Sequence, residues 1–156
     1  MPSRVLSIRR AGVAGLACLR RTCQTAPMRP RPLVLRLLPG TYAISRLDAS
    51  AAIPSWADGD GFVSISRTAA ELSIIGLAGR VPSGVRSEGG WRALELAGPF
   101  PFEAVGIAAA VLHPLAAGGI GVLLVSTFDT DVLLVKAAHL ERARDLLGTA
   151  GHHLEQ

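Results

Sequence analysis

The densest apolar patterning in the chain lies at residues 118–135, GGIGVLLVSTFDTDVLLV. A glycine-bearing turn leads into a long apolar run, a polar connection follows at Phe128, Asp129, Thr130 and Asp131, and a second apolar run closes the stretch. Runs this dense read as buried strands, and the tight link between them predicts a hairpin. Upstream, 103–117 places Ala104, Ile107, Ala108, Val111, Leu112 and Leu115 at helical spacing, with Pro114 expected to kink or shorten the helix. Gly118 and Gly119 then read as its C-terminal cap. Downstream, 137–150 is a second helix that buries Leu140, Ala143 and Leu147, stopped by Gly151 and followed by a short strand at 152–154.

The first half is less regular. Residues 33–38 predict a strand, Pro39 and Gly40 a turn, and 41–47 a returning strand. A short helical turn fits 49–57, limited by Pro54. Alternation of Val63 and Ile65 with Ser64 and Ser66 gives a half-buried strand, and 72–77 gives another. An irregular connection at 79–90 precedes a strand at 91–96, and 98–102 is a rigid proline-bearing link.

From residue 91 the order is strand, helix, strand, strand, helix, strand, the ferredoxin-like arrangement of an antiparallel sheet with helices on one face. The first half offers the same order with stunted helices. A weak repeat joins the halves, because 65–72 and 125–132 each carry a Ser followed five places later by an acid that enters an apolar strand. The strand at 91–96 can close one unit or open the next; serving both requires it to be shared.

Composition changes the picture at the N-terminus. The chain of 156 residues has a formal net charge of +4, yet residues 1–27 hold five arginines and no acid, and the remainder balances 11 basic groups against 12 acidic ones. The body therefore lacks an electrostatic footprint for nucleic acid, and its strands lack the paired aromatics of an RNA-binding sheet. Residues 1–32 fit a secretory signal poorly and a transit peptide better; the preferred reading is a start at Met28 with an upstream extension, disordered in either case. Both cysteines, Cys18 and Cys23, fall in this leader, so the body carries neither disulfide nor zinc spacing. A reducing, cytoplasmic location follows as the expectation, with no membrane partner, because no apolar stretch reaches the length that spans a bilayer.

Several chemistries compete at the polar positions. Asp129 and Asp131 are spaced to share a strand face, where paired carboxylates hold metals or move protons, but Asp and Thr also populate turns for local hydrogen bonding. An acid entering a buried strand needs a partner, and a ligand ammonium or guanidinium suits Asp131. Gly118 to Gly121 either open backbone amides to a carboxylate or simply cap the helix. His113, Ser126 and Asp131 assemble into a hydrolase triad only on paper, since no nucleophile elbow is present. His152 and His153 read as an exposed pair rather than a zinc site. Trp56 and Trp91 read as anchors in a core of short side chains.

The segment LAAGGIG at 115–121 resembles the helix-to-strand loop of ACT domains. More specifically, 42–47, 62–75 (FVSISRTAAELSII), 90–92 and 126–135 (STFDTDVLLV) resemble small bacterial ACT-domain proteins related to the CASTOR-type arginine sensors. The resemblance spans about 33–154. It implies an α+β, ferredoxin-like ACT fold with two ACT-like units in tandem, divided as 33–90 and 91–156 after the leader 1–32. It implies a non-catalytic regulatory protein that binds a small molecule, with an amino acid as the expected ligand, works as a homodimer and needs no cofactor or metal. The ligand-binding residues it implies are Gly119, Ile120, Ser126, Thr127, Phe128, Asp129, Thr130 and Asp131. The alternative is an interaction module that kept the ACT fold and lost its pocket.

Overall fold

The computed structural model describes residues 31–155. Eight strands form one sheet: β1 Val34–Leu37, β2 Tyr42–Leu47, β3 Ser64–Arg67, β4 Leu72–Leu77, β5 Ser87–Leu96, β6 Val122–Ser126, β7 Asp131–Lys136 and β8 His153–Glu155. Two α-helices, α1 (Ile107–Ala117) and α2 (Leu140–Thr149), complete the fold. The sheet is antiparallel except where β8 runs parallel to β1. This is the expected α+β, ferredoxin-like architecture. The expectations for residues 1–30 lie outside the described residues.

The organising element is β5, which begins at Ser87 instead of 91. Along one edge its first half pairs with β2 and its second half with β1, while β7 pairs along the other edge from Trp91 to Glu95. The strand is thus shared: β2, β3, β4 and β5 take the ferredoxin-like order β3-β4-β2-β5, and β5, β6 and β7 begin the second set. β1, not the C-terminal strand, occupies the place beside β5 in that second set, and β8 lies outside it.

The turn expected at Pro39 and Gly40 is corrected by this pairing. Both β1 and β2 are antiparallel to β5, so they run in the same direction, end to end, instead of folding back on each other. Leu38 keeps the ladder going by donating its N–H to the Ala93 carbonyl at 2.9 Å. In the first half the helices shrink to single 3-10 turns at Ser55–Ala57 and Ala78–Arg80.

Strand alternation divides the core. On one face Leu35, Leu94, Leu96, Leu133 and Val135 pack under Val111 and Leu115 of α1 and Leu140, Ala143 and Leu147 of α2. Each of these Leu and Val side chains, once buried, stabilises the fold by roughly 1.5–3 kcal/mol. The other face gathers Tyr42, Ile75, Ala93, Val132 and Leu134, with Trp91 half-buried beside them. A third cluster joins Leu72 and Ile74 to Ala57 and Trp56. Both tryptophans therefore serve as anchors, and Lys136 sits over the Trp91 ring at 4.4 Å from its centroid. The Lys136 ammonium also bonds Glu88, and that hydrogen bond holds the Glu88 carboxyl below its usual pKa.

Helix α1 starts at Ile107, four residues later than its periodicity suggested, and runs through Pro114 to Ala117. It ends in a Schellman cap: Gly119, at φ 71°, donates its N–H to the Ala116 carbonyl and Ile120 donates to Leu115, both at 2.9 Å. Proline at 114 has no N–H, so the Ala110 carbonyl loses its helical partner. His152 replaces it, its Nε2 lying 3.1 Å from that oxygen. The exposed pair expected at His152 and His153 is corrected accordingly: His153 is exposed but His152 is only 2 % exposed.

Ser45 is fully buried on β2, and among the described residues its Oγ has no hydrogen-bond partner. A buried hydroxyl without a partner carries an uncompensated desolvation cost. Ser45→Ala will therefore raise stability by about 1 kcal/mol, read as a higher urea midpoint with an unchanged slope. A lower midpoint would show that the hydroxyl is satisfied in solution.

Candidate functional site

The polar link between β6 and β7 is built by its own threonines. Thr127 donates its N–H to the Thr130 carbonyl at 2.7 Å, and its hydroxyl accepts the Thr130 N–H at 3.2 Å. Phe128 and Asp129 are left at the exposed tip. Two further bonds pin the turn to the end of β5: the Thr130 hydroxyl donates to the Leu96 carbonyl at 2.7 Å, and the Phe100 N–H donates to the Asp129 carbonyl at 2.8 Å. Gly98 makes this approach possible, since a Cβ there would stand 2.6 Å from the Asp129 carbonyl oxygen.

Ser126 and Asp131 form the last cross-strand pair of the hairpin, and the Ser126 hydroxyl donates to Asp131 Oδ1 at 2.5 Å. Asp131 is half-buried. Among the described residues, no basic side chain pairs with Asp129 or Asp131.

The link after β5 folds back across this hairpin and delivers the start of α1 against it. A cleft of about 480 Å³ results, walled on one side by residues 126–131 and on the other by Phe100, Phe102 and the first turn of α1 at Ile107, Ala108 and Ala109. At its mouth Phe102 and Phe128 meet edge to face, centroids 5.2 Å apart, with 74 % and 78 % of each residue exposed. The α1 N-cap is Gly106, so no side chain caps the helix, and its first turn carries no acid. The N–H groups of that first turn have no intrahelical acceptor and bear the positive end of the helix dipole. One wall therefore supplies donors and positive potential, the other two carboxylates and the hydroxyls of Ser126, Thr127 and Thr130.

Of the eight residues implied by sequence, the cleft brings together six: Ser126, Thr127, Phe128, Asp129, Thr130 and Asp131. Gly119 and Ile120 stand at the other end of α1 and of β6, where they make the helix cap, with the Ile120 side chain in the core. Asp129 and Asp131 differ in setting, one at the exposed turn and one in the strand, and the described residues hold no group of three or more metal-ligating side chains. His113 is exposed on α1 and does not line the cleft, so the paper triad is not assembled. The wall from Phe100 to Ala109 escaped sequence reasoning. Its one signal is a helix start with no Ser, Thr, Asp or Asn before it.

Substituting Gly98 by Ala will push the Asp129 carbonyl away, break its bond to Phe100 and open the cleft. The expected cost is about 1–3 kcal/mol, with backbone amide shifts concentrated at 98–100 and 127–131. An unchanged spectrum at the hairpin tip would show that the contact is not tight.

Comparison with known proteins bears on this geometry. A family model for the ACT domain matches residues 86–148, and a second model, described as an N-terminal domain, matches 40–84. A crystallised protein from Agrobacterium tumefaciens is 51 % identical, with a TM-score of 0.78, over 81 % of this chain and 94 % of that one. Residues 86–148 belong to the ACT-domain family. A Vibrio cholerae protein of unknown function, described as a possible transport protein, gives a TM-score of 0.63 at 20 % identity over 76 % of this chain and 90 % of that one. The ligand-free regulatory subunit of aspartate kinase from Thermus thermophilus gives 0.53 at 8 % identity over 74 % and 93 %. These two likenesses are of fold. No curated protein matches the chain. Among the described residues, no helix is long and apolar enough to cross a membrane.

Proposed function

We propose that this ACT-domain protein is a non-catalytic regulatory module whose cleft binds a free α-amino acid. The observation that carries the reading is the opposition of charge across the cleft. The uncapped first turn of α1 suits a carboxylate, and Asp131, aligned by Ser126, suits an ammonium. A zwitterion laid between them satisfies both walls at once. Phe100, Phe102 and Phe128 would then face the ligand side chain. In this reading Gly119 and Ile120 act from a distance, by fixing the far end of α1.

The proposal includes two tandem units at 33–90 and 91–156, with β5 shared across that boundary and β1 pairing in the second set, a relation to the CASTOR-type arginine sensors through the segments 42–47, 62–75 and 126–135, and action in the cytoplasm. A homodimer is part of it, supported by the outer edge of β6, which among the described residues pairs only with β7. Thermal shift tests the reading: one amino acid at millimolar concentration raises Tm by a few degrees. Silence across the full set of amino acids would refute it.

The exposed Phe102 and Phe128 pair favours one other reading, an interaction module that docks a protein partner through the cleft mouth. Under that reading amino acids give no shift.

A further inference from the structure

A second, smaller cavity lies on the sheet face turned away from the helices. Leu94 and Leu96 point into the core under α1 and α2, so Glu95 between them points to the other side. There, an open-sided depression of about 240 Å³ is bordered by Leu38 and Pro39, at the junction of β1 and β2, by Gly61 and Phe62, by the buried ring of Tyr42 and by Glu95. It shares no lining residue with the first cleft. Gly61 keeps the space over Tyr42 open: its φ is +82°, and a Cβ there would come within 3.3 Å of the Tyr42 hydroxyl and 3.4 Å of Leu77. The Tyr42 oxygen accepts the Phe62 N–H at 3.4 Å, which leaves its own hydrogen free to donate.

The single charge in this cavity is Glu95. Its cross-strand neighbours are Arg36 on β1 and Val132 on β7. Arg36 is the natural partner by position, yet its Nε is turned to Glu155 at 3.4 Å, and no other cation among the described residues pairs with Glu95. The Glu95 carboxylate is partly exposed and has no cation partner among the described residues, so it is open to a charged ligand from solvent. An ammonium group supplies that partner, with a charge-assisted hydrogen bond. The walls then take an apolar body, and the partly exposed Phe62 ring presents aromatic surface to it.

We infer that this cavity is a second ligand site, specific for a small organic ammonium ion with an apolar body. At about 240 Å³ it is smaller than the pockets that hold drug-sized ligands and fits a single-ring or short-chain amine. It needs no carboxylate receptor, because no helix N-terminus or basic side chain lines it. Its ligands are therefore simple amines, where the first cleft would prefer zwitterions.

Benzylamine, protonated at neutral pH, is the probe, with benzyl alcohol as its uncharged counterpart, followed by amide chemical-shift titration of the intact chain. Benzylamine is expected to give saturable shifts at Leu38, Phe62 and Glu95 in the millimolar range. Benzyl alcohol should bind at least about tenfold more weakly, and Glu95→Gln should weaken benzylamine by the same factor. Asp131→Asn should leave the titration unchanged. The inference is overturned if those amides do not shift, if the alcohol or the Glu95→Gln variant binds as well as the amine and the native chain, or if Asp131→Asn removes the response. The alcohol comparison needs no variant, so it decides the matter even if Glu95→Gln fails to fold. Failure of amino acids at the first cleft would leave all of these arms intact.

Discussion

Asp131→Ala is expected to weaken amino-acid binding by about 10- to 150-fold and to leave the fold in place. The factor corresponds to the roughly 1.5–3 kcal/mol carried by a hydrogen bond to a charged group. Asp131 suits the role because it combines partial burial, alignment by Ser126 and the absence of a basic partner among the described residues. The fold tolerates its loss because the carboxylate sits at the end of β7 beside an exposed serine, outside the buried clusters. Asp131→Asn keeps an acceptor for Ser126 but removes the charge, so its affinity should fall nearly as far. Ser126→Ala keeps the charge and loses only its alignment, so its loss should be smaller. Calorimetric titration of the three variants with the amino acid that shifts Tm gives this order. Equal affinity in Asp131→Ala and the native chain would remove Asp131 from the site and favour the interaction module, for which that substitution is silent.

The reach of sequence reading follows from what decides each feature. The hairpin of β6 and β7 was legible because its causes are local: dense apolar runs on either side of a link rich in Thr and Asp. Helix α2 was legible for the same reason, with Leu140, Ala143 and Leu147 at helical spacing and all buried. The path through Pro39 and Gly40 was not. Those residues make a reversal and an interrupted straight edge equally comfortable, and the choice falls to β5, some fifty residues away, which offers both halves of one edge.

The cleft was half legible. Its acidic wall announces itself by carboxylates beside an apolar strand. Its donor wall is backbone, and backbone carries no residue signature beyond the missing cap before Ile107. The same limit applies at Gly119 and Ile120. A glycine before a strand looks alike whether it opens amides to a ligand or closes a helix, and the bonds to Leu115 and Ala116 show that here it closes one. The early start of the shared strand was hidden by Gly89 and Gly90, which look like loop and lie inside β5.

His152→Ala is expected to destabilise the protein by about 3 kcal/mol, more than any other single change considered. The ring joins three elements. Nδ1 accepts the Leu33 N–H at 3.2 Å at the start of β1, Nε2 lies 3.1 Å from the Ala110 carbonyl in α1, and the residue itself completes the cap of α2 by donating its N–H to the Leu147 carbonyl at 2.9 Å. These bonds assign the neutral tautomer with the proton on Nε2. Alanine keeps the backbone cap, leaves two buried main-chain groups unpaired and opens a hole beside α1. A Tm lower by on the order of 10 °C should result, while His153→Ala, on the exposed side, should stay within about 0.5 kcal/mol of the native chain. The argument that Pro114 creates the need for His152 has its own test. Pro114→Ala returns an N–H to the helix, which can satisfy Ala110 from within. In that background His152→Ala should cost at least about 1 kcal/mol less than in the native chain, a coupling that a double-mutant cycle measures directly. Additive costs would mean that the contact with the Ala110 carbonyl contributes nothing and that the proline and the histidine are unconnected.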